Sequence, residues 1–417
     1  ADSIGGYDVS MIKSNGNGNI LWEKHLGGAN NDFTYRIIYR ENAFIVCGLT
    51  TNIGGGFGDA FILKVDTLGN QQWFKTFGET DQKEAFTTLA PTNDGGFVCG
   101  GFISPPGSQI SDFWLVKFDE NGEEEWSEFY GGTLNEYVMS VLETIDGGIA
   151  AVGDKERSDG SYNAWLIKTD GAGNLLWDTD LMQTYNTGSR GMVTDADGDF
   201  YITGESDPIG AGFLDIYLAK VSSAGSVQWQ KQIGGNRGDA GFHIAHPVPG
   251  RLLITGYGYN PRDENQDAVV VVTDTYGNVD TTLYYGDPSV EIGYHIFPSV
   301  YGGFLVASAS FQADNQYFLI YDDLPILAGI EQNPPSFSTR IKLFPNPVSS
   351  SGTVFLNTSV FHPQITLTDV AGRILFDKKF DGQITSFTLP ESVSHGVHFV
   401  KIVGDSFSSV TKVIFNP

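Results

Sequence analysis

Short runs of apolar or alternating residues make up most of this 417-residue chain, and Gly and Asp turns separate them. Runs of about five to eight residues with a period of two are typical of β-strands rather than helices. The composition agrees, since 52 glycines and 13% aromatic residues favour an all-β protein with many tight turns. No stretch reaches 18 consecutive apolar residues, so the sequence predicts no transmembrane helix.

The strands recur in a long repeat that tryptophans mark. Five tryptophans are spaced by 51, 53, 51 and 52 residues, namely Trp22, Trp73, Trp126, Trp177 and Trp229. Each Trp ends the same sequence phrase. In this phrase an apolar strand that contains a Lys, as in Leu115-Val116-Lys117, is followed by a Gly turn and then by the Trp; we call it a Lys-type strand. A second phrase, as in Asp94-Gly95-Gly96-Phe97, begins the other half of the unit. A period of about 50 residues that holds four short strands predicts a β-propeller blade.

The number of blades follows from counting these halves. The sequence contains six half-repeats with the Gly-Gly-Phe phrase and seven Lys-type strands. They give six complete blades if the strand around Leu21 and Trp22 closes the ring with the last blade. Seven blades, one of them incomplete, stay open as the alternative. We expect one indole per blade to wedge against the next sheet and bury roughly 150–250 Å². The Asp-x-x-Gly turn before it resembles the tryptophan-docking motif of quinoprotein-type propellers, which concerns architecture only.

A proline-rich break separates the repeats from the last part of the chain. The sequence predicts a propeller over residues 1–323, an exposed linker over 324–338 and a small immunoglobulin-like β-sandwich over 339–417. Of the 24 basic and 50 acidic residues, 7 and 5 lie from Pro335 onward, so the tail carries +2 and the remainder −28. Such an acidic surface repels phosphate backbones, which makes nucleic-acid binding an unfavourable interpretation.

Two further features bear on the compartment. Cys47 and Cys99 occupy the same place in neighbouring repeats, and we expect buried free thiols rather than a disulfide scaffold. The chain begins with Ala1 and has no apolar leader, as a mature chain does after removal of a signal peptide or as a trimmed chain would.

Histidines give one candidate for chemistry. His243 and His246 form an H-x-x-H, and His295 falls at the repeat position of His243. The same alignment assigns Tyr35, Thr87, Ser140 and Gly191 to this position, on the predicted innermost strand. Two histidines that face a common axis could bind a metal, or they could simply line the channel.

Acidic motifs allow a functional and a structural interpretation. Asp195-Ala196-Asp197 resembles the start of a calcium loop, but it coincides with the Asp-Gly turn of the repeat. The Lys-x-Asp pairs, such as Lys64 and Asp66, are expected to pair locally and to hold each blade together. No Gly-x-Ser-x-Gly, His-Glu-x-x-His, P-loop or dinucleotide fingerprint is present, and the sequence predicts no cofactor.

Ligand binding is expected at the longest insertions between strands. These insertions are Thr51–Gly58, Ile103–Ile110 and Tyr257–Gln266, and the aromatic residues predicted to stack on a ligand are Phe57, Tyr257 and Tyr259. The sequence favours a propeller that binds a glycan or a protein and is not an enzyme. The alternative is a secreted glycan-cleaving enzyme, whose two carboxylates cannot be chosen among so many acids.

The C-terminal 80 or so residues carry three phrases in a fixed order. The residues that carry them are Pro345, Asn346 and Pro347, then Asp369, Gly372 and Arg373, then Gly396 and Lys401, with a closing strand at Lys412. This pattern resembles the type A C-terminal sorting domain of the type IX secretion system of Bacteroidota. His398 stands where that family usually has Tyr.

The resemblance implies an export address on a folded cargo. In the family, the cargo crosses the outer membrane through the translocon, and the tail is recognised by an outer-membrane shuttle barrel. A sortase then removes the tail, with proteolysis in the preceding linker, and can attach the cargo to the cell surface. A cell-surface or extracellular location follows as the expectation.

Overall fold

The computed structural model shows an all-β protein. It describes residues 8–14, 20–26, 31–51, 58–78, 82–104, 107–108, 110–181, 186–207, 213–261, 264–286, 289–298, 303–311, 316–322, 343–344, 348–349, 353–361, 363–369, 373–381, 383–388, 396–404 and 407–416. Within these residues no helix is long and apolar enough to cross a membrane. The chain divides into two compact units, Ala1–Met11 with Lys24–Gly329, and Ile12–Glu23 with Ile330–Pro417.

Five antiparallel sheets of four strands each form in chain order, as expected for propeller blades. Blade 1 contains β3 (Asp32–Arg40), β4 (Ala43–Thr50), β5 (Asp59–Asp66) and β6 (Gln71–Phe77). Blade 2 contains β7 (Glu84–Pro91), β8 (Phe97–Ile103), β9 (Asp112–Phe118) and β10 (Glu124–Tyr130). Blade 3 contains β11 (Glu136–Glu143), β12 (Ile149–Glu156), β13 (Tyr162–Thr169) and β14 (Leu175–Leu181). Blade 4 contains β15 (Asn186–Thr194), β16 (Phe200–Asp207), β17 (Asp215–Val221) and β18 (Val227–Ile233). Blade 5 contains β19 (Ala240–Val248), β20 (Arg251–Asn260), β21 (Asn265–Asp274) and β22 (Val279–Tyr285).

The sixth blade and the N-terminal strands correct one expectation. Blade 6 has three strands, β23 (Glu291–Pro298), β24 (Phe304–Ser310) and β25 (Gln316–Asp322). The N-terminal strands β1 (Val9–Ser14) and β2 (Ile20–Leu26) pair with each other in a sheet of their own. The expected closure, in which the strand around Leu21 and Trp22 completes the last blade, is therefore wrong for the described strands. A hairpin satisfies the backbone of β2 locally, which leaves β25 as the outer strand of its sheet.

Apolar cores lie between neighbouring blades. The first strands of successive sheets contact each other and are therefore innermost, whereas the fourth strands are largely exposed. Ile62 of blade 1, for example, packs in one cluster with Phe86 and Trp114 of blade 2. Comparable clusters join blades 2 and 3, 3 and 4, 4 and 5, and 5 and 6. The continuous apolar runs of the second and third strands fit burial on both faces of each sheet.

The repeated tryptophans lie against a glycine of the next blade. A Cβ on Gly122, Gly173, Gly225 or Gly277 would stand 3.0, 3.1, 2.8 or 2.9 Å from a ring atom of Trp73, Trp126, Trp177 or Trp229, respectively. These glycines also have φ between +72° and +85°, where other residues are strained. Trp126 additionally donates from Nε1 to the carbonyl oxygen of Gly171, at 3.0 Å. Trp22 lies half-buried in β2.

Each Asp-x-x-Gly turn is closed by its own aspartate. Oδ1 of Asp66 accepts the backbone N–H groups of Leu68 and Asn70, both at 2.8 Å. Asp119, Asp170 and Asp274 do the same in their blades. The carboxylate is thus engaged in the turn, an arrangement for which Asp is well suited.

The lysines of the Lys-x-Asp pairs have other partners than expected. Lys117 pairs with Asp94 and Glu125, each at 2.8 Å, and Lys168 pairs with Asp146 at 2.9 Å. The expected local pairing within Lys-x-Asp is therefore wrong, because the aspartate closes its own turn. Lys117 and Lys168 pair instead with the Asp-Gly turn of their own blade, and Lys64 donates to the carbonyl oxygen of Glu120 in the next blade. Lys220 likewise lies 3.4 Å from Asp195 and 3.1 Å from Asp199, so the calcium-like motif is a turn held by lysine.

The two cysteines are free and buried, as expected. Both belong to the core between blades 1 and 2. Burial and the adjacent Cys47 thiol raise the pKa of the Cys99 thiol well above its usual value. Such thiols are poor nucleophiles, which fits a packing role.

The C-terminal unit contains the two sheets of a small β-sandwich. The first has the order β26 (Leu343–Phe344), β28 (Thr353–Phe361) and β31 (Gln383–Thr388). The second has the order β27 (Val348–Ser349), β33 (Phe407–Asn416), β32 (Gly396–Gly404), β29 (Gln364–Asp369) and β30 (Ile374–Lys379). Ile365, Leu367, Val400 and Ile402 are buried in alternation along β29 and β32 and supply its core.

Candidate ligand-binding face

A cavity of about 440 Å³ lies at the hairpin that the sequence singled out between β20 and β21. Its aromatic lining consists of Phe213, Tyr257 and Tyr259, and its polar lining includes Arg237, Glu264, Asn265 and Gln266. The cavity is at the end of the blades where the loops between blades and between second and third strands emerge. An aromatic pocket with a few planar polar groups is typical of a small-molecule or saccharide site.

The β20–β21 hairpin is held by the pairing of its two strands and by a carboxylate in the loop before β19. The pairing of β20 with β21 continues to Asn260 and Asn265, and Glu264 has a φ of 59°. The backbone N–H of Tyr259 donates to Oδ1 of Asp239 at 3.0 Å. The guanidinium of Arg237 stands 5.0 Å from the centroid of the Tyr259 ring, a cation–π geometry. These contacts fix one aromatic wall of the cavity.

Tyr257 connects the cavity to the inner strands. Its ring lies edge-on to Phe242 at 5.8 Å, and Phe242 in turn lies 5.7 Å from Tyr294 of blade 6. Burial, followed by the negative charges of Glu205 and Asp239, raises the pKa of the Tyr257 hydroxyl. The hydroxyl therefore stays protonated at neutral pH and can donate a hydrogen bond.

The first strand of every blade carries a β-bulge. The register skips one residue in each strand, and these residues are Tyr35, Thr87, Met139, Arg190, Phe242 and Tyr294. A bulge turns a side chain out of the regular alternation. The residue after it is Arg36, Thr88, Ser140, Gly191, His243 or His295. The assignment of Tyr35 and Thr87 to the histidine position was therefore wrong by one residue, since Arg36 and Thr88 stand there.

Two carboxylates near this end of the blades are bound by the bulge residue of blade 4. Arg190 donates from Nε to Glu205 at 3.1 Å, and its Nη1 lies 3.5 Å from Oδ2 of Asp154. Oδ1 of Asp154 accepts the backbone N–H of Ser189 at 2.9 Å. Burial raises the pKa of Asp154 to about 7, although Arg190 opposes the shift. The cluster thus contains a carboxyl group that titrates near neutrality.

His243 and His295 meet as the repeat alignment suggested. Their rings stack with centroids 3.5 Å apart, and Nη2 of Arg36 lies 3.3 Å from Nε2 of His243. His246 is elsewhere, with its ring 5.9 Å from that of Tyr201. Among the described residues no group of three or more His, Cys, Asp or Glu side chains could hold a metal. A neighbouring guanidinium also disfavours a cation at this position.

Some predicted site residues fall outside the described residues. Phe57, Pro345, Asn346, Pro347 and Gly372 belong to this group. Within the C-terminal unit, Asp369 ends β29 opposite His398, and Gly396 begins β32 opposite Phe415. Lys412 lies in β33 opposite Phe399. Arg373 and Lys401 are exposed.

The sequence did not predict several residues of the cavity and of the histidine cluster. Arg237 lies in the Gly-Gly loop after β18, and an Arg in a loop of mostly small residues was a signal that could have been used. Phe213 and Glu264 gave no such signal. Arg36 stands as far from Trp22 as His243 does from Trp229, so the Trp spacing was a signal for it.

Comparison with known proteins identifies the tail. Residues 342–416 match the family model "Secretion system C-terminal sorting domain". The chain is therefore a cargo protein of the type IX secretion system, in which a β-propeller precedes the sorting domain. Export to the cell surface or the extracellular space follows from that domain.

Part of the chain is also similar to a known regulatory protein. The regulatory protein FlaEY of Caulobacter vibrioides is 26% identical over 174 residues, which cover 35% of this chain and 18% of that protein. The chain thus spans less than a fifth of that relative.

Two solved structures have a similar fold. The propeller domain of the Trilobed protease from Pyrococcus furiosus aligns with a TM-score of 0.43 at 9% identity, covering 90% of this chain and 94% of that one. An endo-arabinase from Bacteroides thetaiotaomicron aligns with a TM-score of 0.37 at 10% identity, covering 70% and 93%. Neither similarity assigns an activity.

Proposed function

We propose that the exported propeller binds a glycan in the cavity beside the β20–β21 hairpin. The supporting observation is that Tyr257 and Tyr259, Arg237 and Gln266 line one cavity of about 440 Å³. Aromatic faces can pack on the C–H face of a sugar ring, while planar polar groups orient its hydroxyls. The volume is in the range of small-ligand sites.

The charge of the propeller narrows the class of glycan. With a net charge of −28 outside the tail, the propeller repels polyanionic polysaccharides over several ångströms. The polar lining contains both Arg237 and Glu264, so it offers donors and acceptors in balance. A neutral glycan fits these conditions best.

A binding screen with matched variants tests the proposal. The full chain is applied to a glycan array, and affinity for the best neutral glycan is measured by calorimetry. We expect Tyr259→Ala and Tyr257→Ala each to weaken binding by about tenfold or more, as for a buried aromatic anchor. Tyr276→Ala is the control, because Tyr276 is 71% exposed in a turn at the opposite end of blade 5. Equal affinities of the three variants would contradict the assignment of the cavity.

A glycan-cleaving activity is the second candidate. It is favoured by Asp154, whose pKa of about 7 suits a general acid. Against it, Glu205 and Asp154 are both bound by Arg190 rather than presented to a substrate. Hydrolysis assays on the glycans that bind distinguish the two. Turnover that Asp154→Asn abolishes without loss of binding would replace the binding hypothesis with the enzymatic one.

For the route of export, we propose recognition of the tail by the shuttle barrel and its removal by the sortase. The exposed Arg373 and Lys401 offer basic contacts on a tail whose net charge is +2 from Pro335 onward. Deletion of residues 335–417 is expected to retain the propeller in the periplasm, as followed by immunoblots of cell fractions. A truncated chain that still reached the medium would refute this role.

A further inference from the structure

Three basic side chains from different blades meet near the axis of the first strands. Arg36 belongs to β3 of blade 1, His243 to β19 of blade 5 and His295 to β23 of blade 6. Nη2 of Arg36 is 3.3 Å from Nε2 of His243, and the two imidazole rings stack at 3.5 Å. All three side chains are only partly exposed. The cluster is separate from the glycan cavity and does not depend on that proposal.

The guanidinium of Arg36 has no counter-ion among the ion pairs of the described residues. Burial lowers its pKa, yet a guanidinium remains charged at neutral pH. A partly buried charge without a partner is costly.

Hydrogen-bond donors also exceed acceptors at this point. The backbone N–H of Ile296 points at Nδ1 of His243 at 3.5 Å, and Arg36 approaches Nε2 from the other side. A neutral imidazole has one lone pair on one nitrogen and a proton on the other, so it can accept from only one of these two donors. Nδ1 of His295 is buried and has no hydrogen-bond partner. Around His243, one of the two donors therefore lacks an acceptor.

The electrostatics of the cluster also favours a bound anion. Burial, followed by the positive charge of Arg36, lowers the pKa of His295 to about 3. Burial and the neighbours His295 and Arg36 lower the pKa of His243 well below its usual value. Both imidazoles are thus neutral at pH 7, and the Arg36 guanidinium is the charged member of the cluster. A bound anion would compensate this charge and accept hydrogen bonds from the imidazoles.

We propose that Arg36, His243 and His295 form a binding site for a small oxyanion, with Arg36 as the charged ligand and the imidazoles as hydrogen-bond partners. Charge-assisted bonds from a guanidinium to an oxyanion are short and strong. They act at close range, where the negative charge of the remaining propeller is partly screened at physiological salt. Partial exposure of the three side chains allows a small ion to enter, whereas a polymer would be excluded.

The test uses the full chain at pH 7.5 in a zwitterionic buffer of constant ionic strength. Phosphate, sulfate and acetate are titrated against chloride, with thermal unfolding and imidazole NMR resonances as readouts. We expect the melting temperature to rise by about 2 °C at a phosphate or sulfate concentration tenfold above Kd. Two of the seven histidines should shift in the NMR spectrum with the same Kd. Acetate separates a carboxylate site from one that requires a tetrahedral anion.

Arg36→Gln and Arg40→Gln form the matched pair of variants. Arg36→Gln should reduce anion affinity by about tenfold or more. It should not lower stability without anion, because it removes an uncompensated charge. Arg40, on the same strand, donates to the carbonyl oxygens of Thr92 and Gly96, so Arg40→Gln should lower stability but keep the anion response. Identical anion responses of the wild type and Arg36→Gln, or no response of the wild type beyond chloride, would overturn the proposal.

Discussion

The two ends of the propeller blades differ in how regularly they follow the repeat. At the end with the Asp-x-x-Gly turns, four successive blades place a Trp on a glycine of the next blade, and the turn aspartates bind the same backbone groups. At the opposite end, equivalent positions hold different residues, such as Arg190, Phe242 and Tyr294 at the bulge. Features that repeat are structural, because each blade needs the same contacts with its neighbour. Features that occur once are candidates for function.

The largest expected effect lies at the regular end. Gly225→Val would place a Cβ 2.8 Å from the ring of Trp177 at a φ of +84°. Steric overlap and strain together should cost about 3 kcal/mol of unfolding free energy, measured by urea denaturation.

Gly132→Ala serves as the control for that substitution, because nothing lies within 4 Å of a Cβ at Gly132. Its cost should be below about 1 kcal/mol. If both variants were equally stable, the contact between indole and glycine would not hold the blades together.

An intermediate effect is expected where buried acids face each other between blades 2 and 3. Oε2 of Glu136 and Oδ1 of Asp112 would both lie within 2.7 Å of a Cβ on Gly131, and neither atom has a hydrogen-bond partner. Burial raises the pKa of Glu136 to about 7. A raised carboxyl pKa means that its stabilising contribution is full below about pH 4.5 and is lost as the pH rises through 7.

Glu136→Gln should therefore remove this pH dependence and stabilise the protein at pH 8 by about 1–2 kcal/mol. Melting temperatures between pH 4.5 and 8 measure the effect, with the exposed Glu124→Gln as the control. The seam between blades 3 and 4 has Asn163 and Thr187 in the equivalent places, so a neutral pair is tolerated there. A Glu136→Gln variant that was less stable at pH 8 would show that the charge itself is needed.

The smallest effect is expected for the lysine pairs. Hydrogen bonds from Thr144, followed by Lys168, lower the pKa of Asp146 to about 2. A lowered carboxyl pKa contributes stability above about pH 4 that is lost as the pH falls toward 2. Because Asp146 is largely exposed, Lys168→Met should reduce this acid-dependent loss by less than about 1 kcal/mol.

Acid unfolding curves compare this variant with Lys64→Met. Lys64 has the same repeat position but donates to the carbonyl oxygen of Glu120. Lys64→Met should lose stability toward low pH to the same extent as the wild type. If both variants lost the same stability between pH 4 and pH 2, Lys168 would not act on Asp146.

The regular features could be predicted from residue spacing because each blade meets the same physical requirement. The Trp spacing and the Gly turns indicated the strands and the blade architecture, and the resemblance of three C-terminal phrases to a known family indicated the tail. The partners of Lys117 and Lys168 could not be predicted, since they depend on which turn lies beside the third strand of the blade. The repeat alignment misplaced Arg36 by one position, and a one-residue shift changes every side-chain direction in a strand.

Tyr257 and Tyr259 were found as an aromatic insertion, but the cavity required Phe213 and Arg237 from elements 20 or more residues away. The sequence alone determined the repeat and the acidic balance of the propeller, since these depend on spacing and composition, and its last residues carried the resemblance to the sorting domain. Only the tertiary structure decided that Arg36, His243 and His295 converge and that β2 pairs with β1. Such contacts join residues distant in the chain, and no local pattern encodes them.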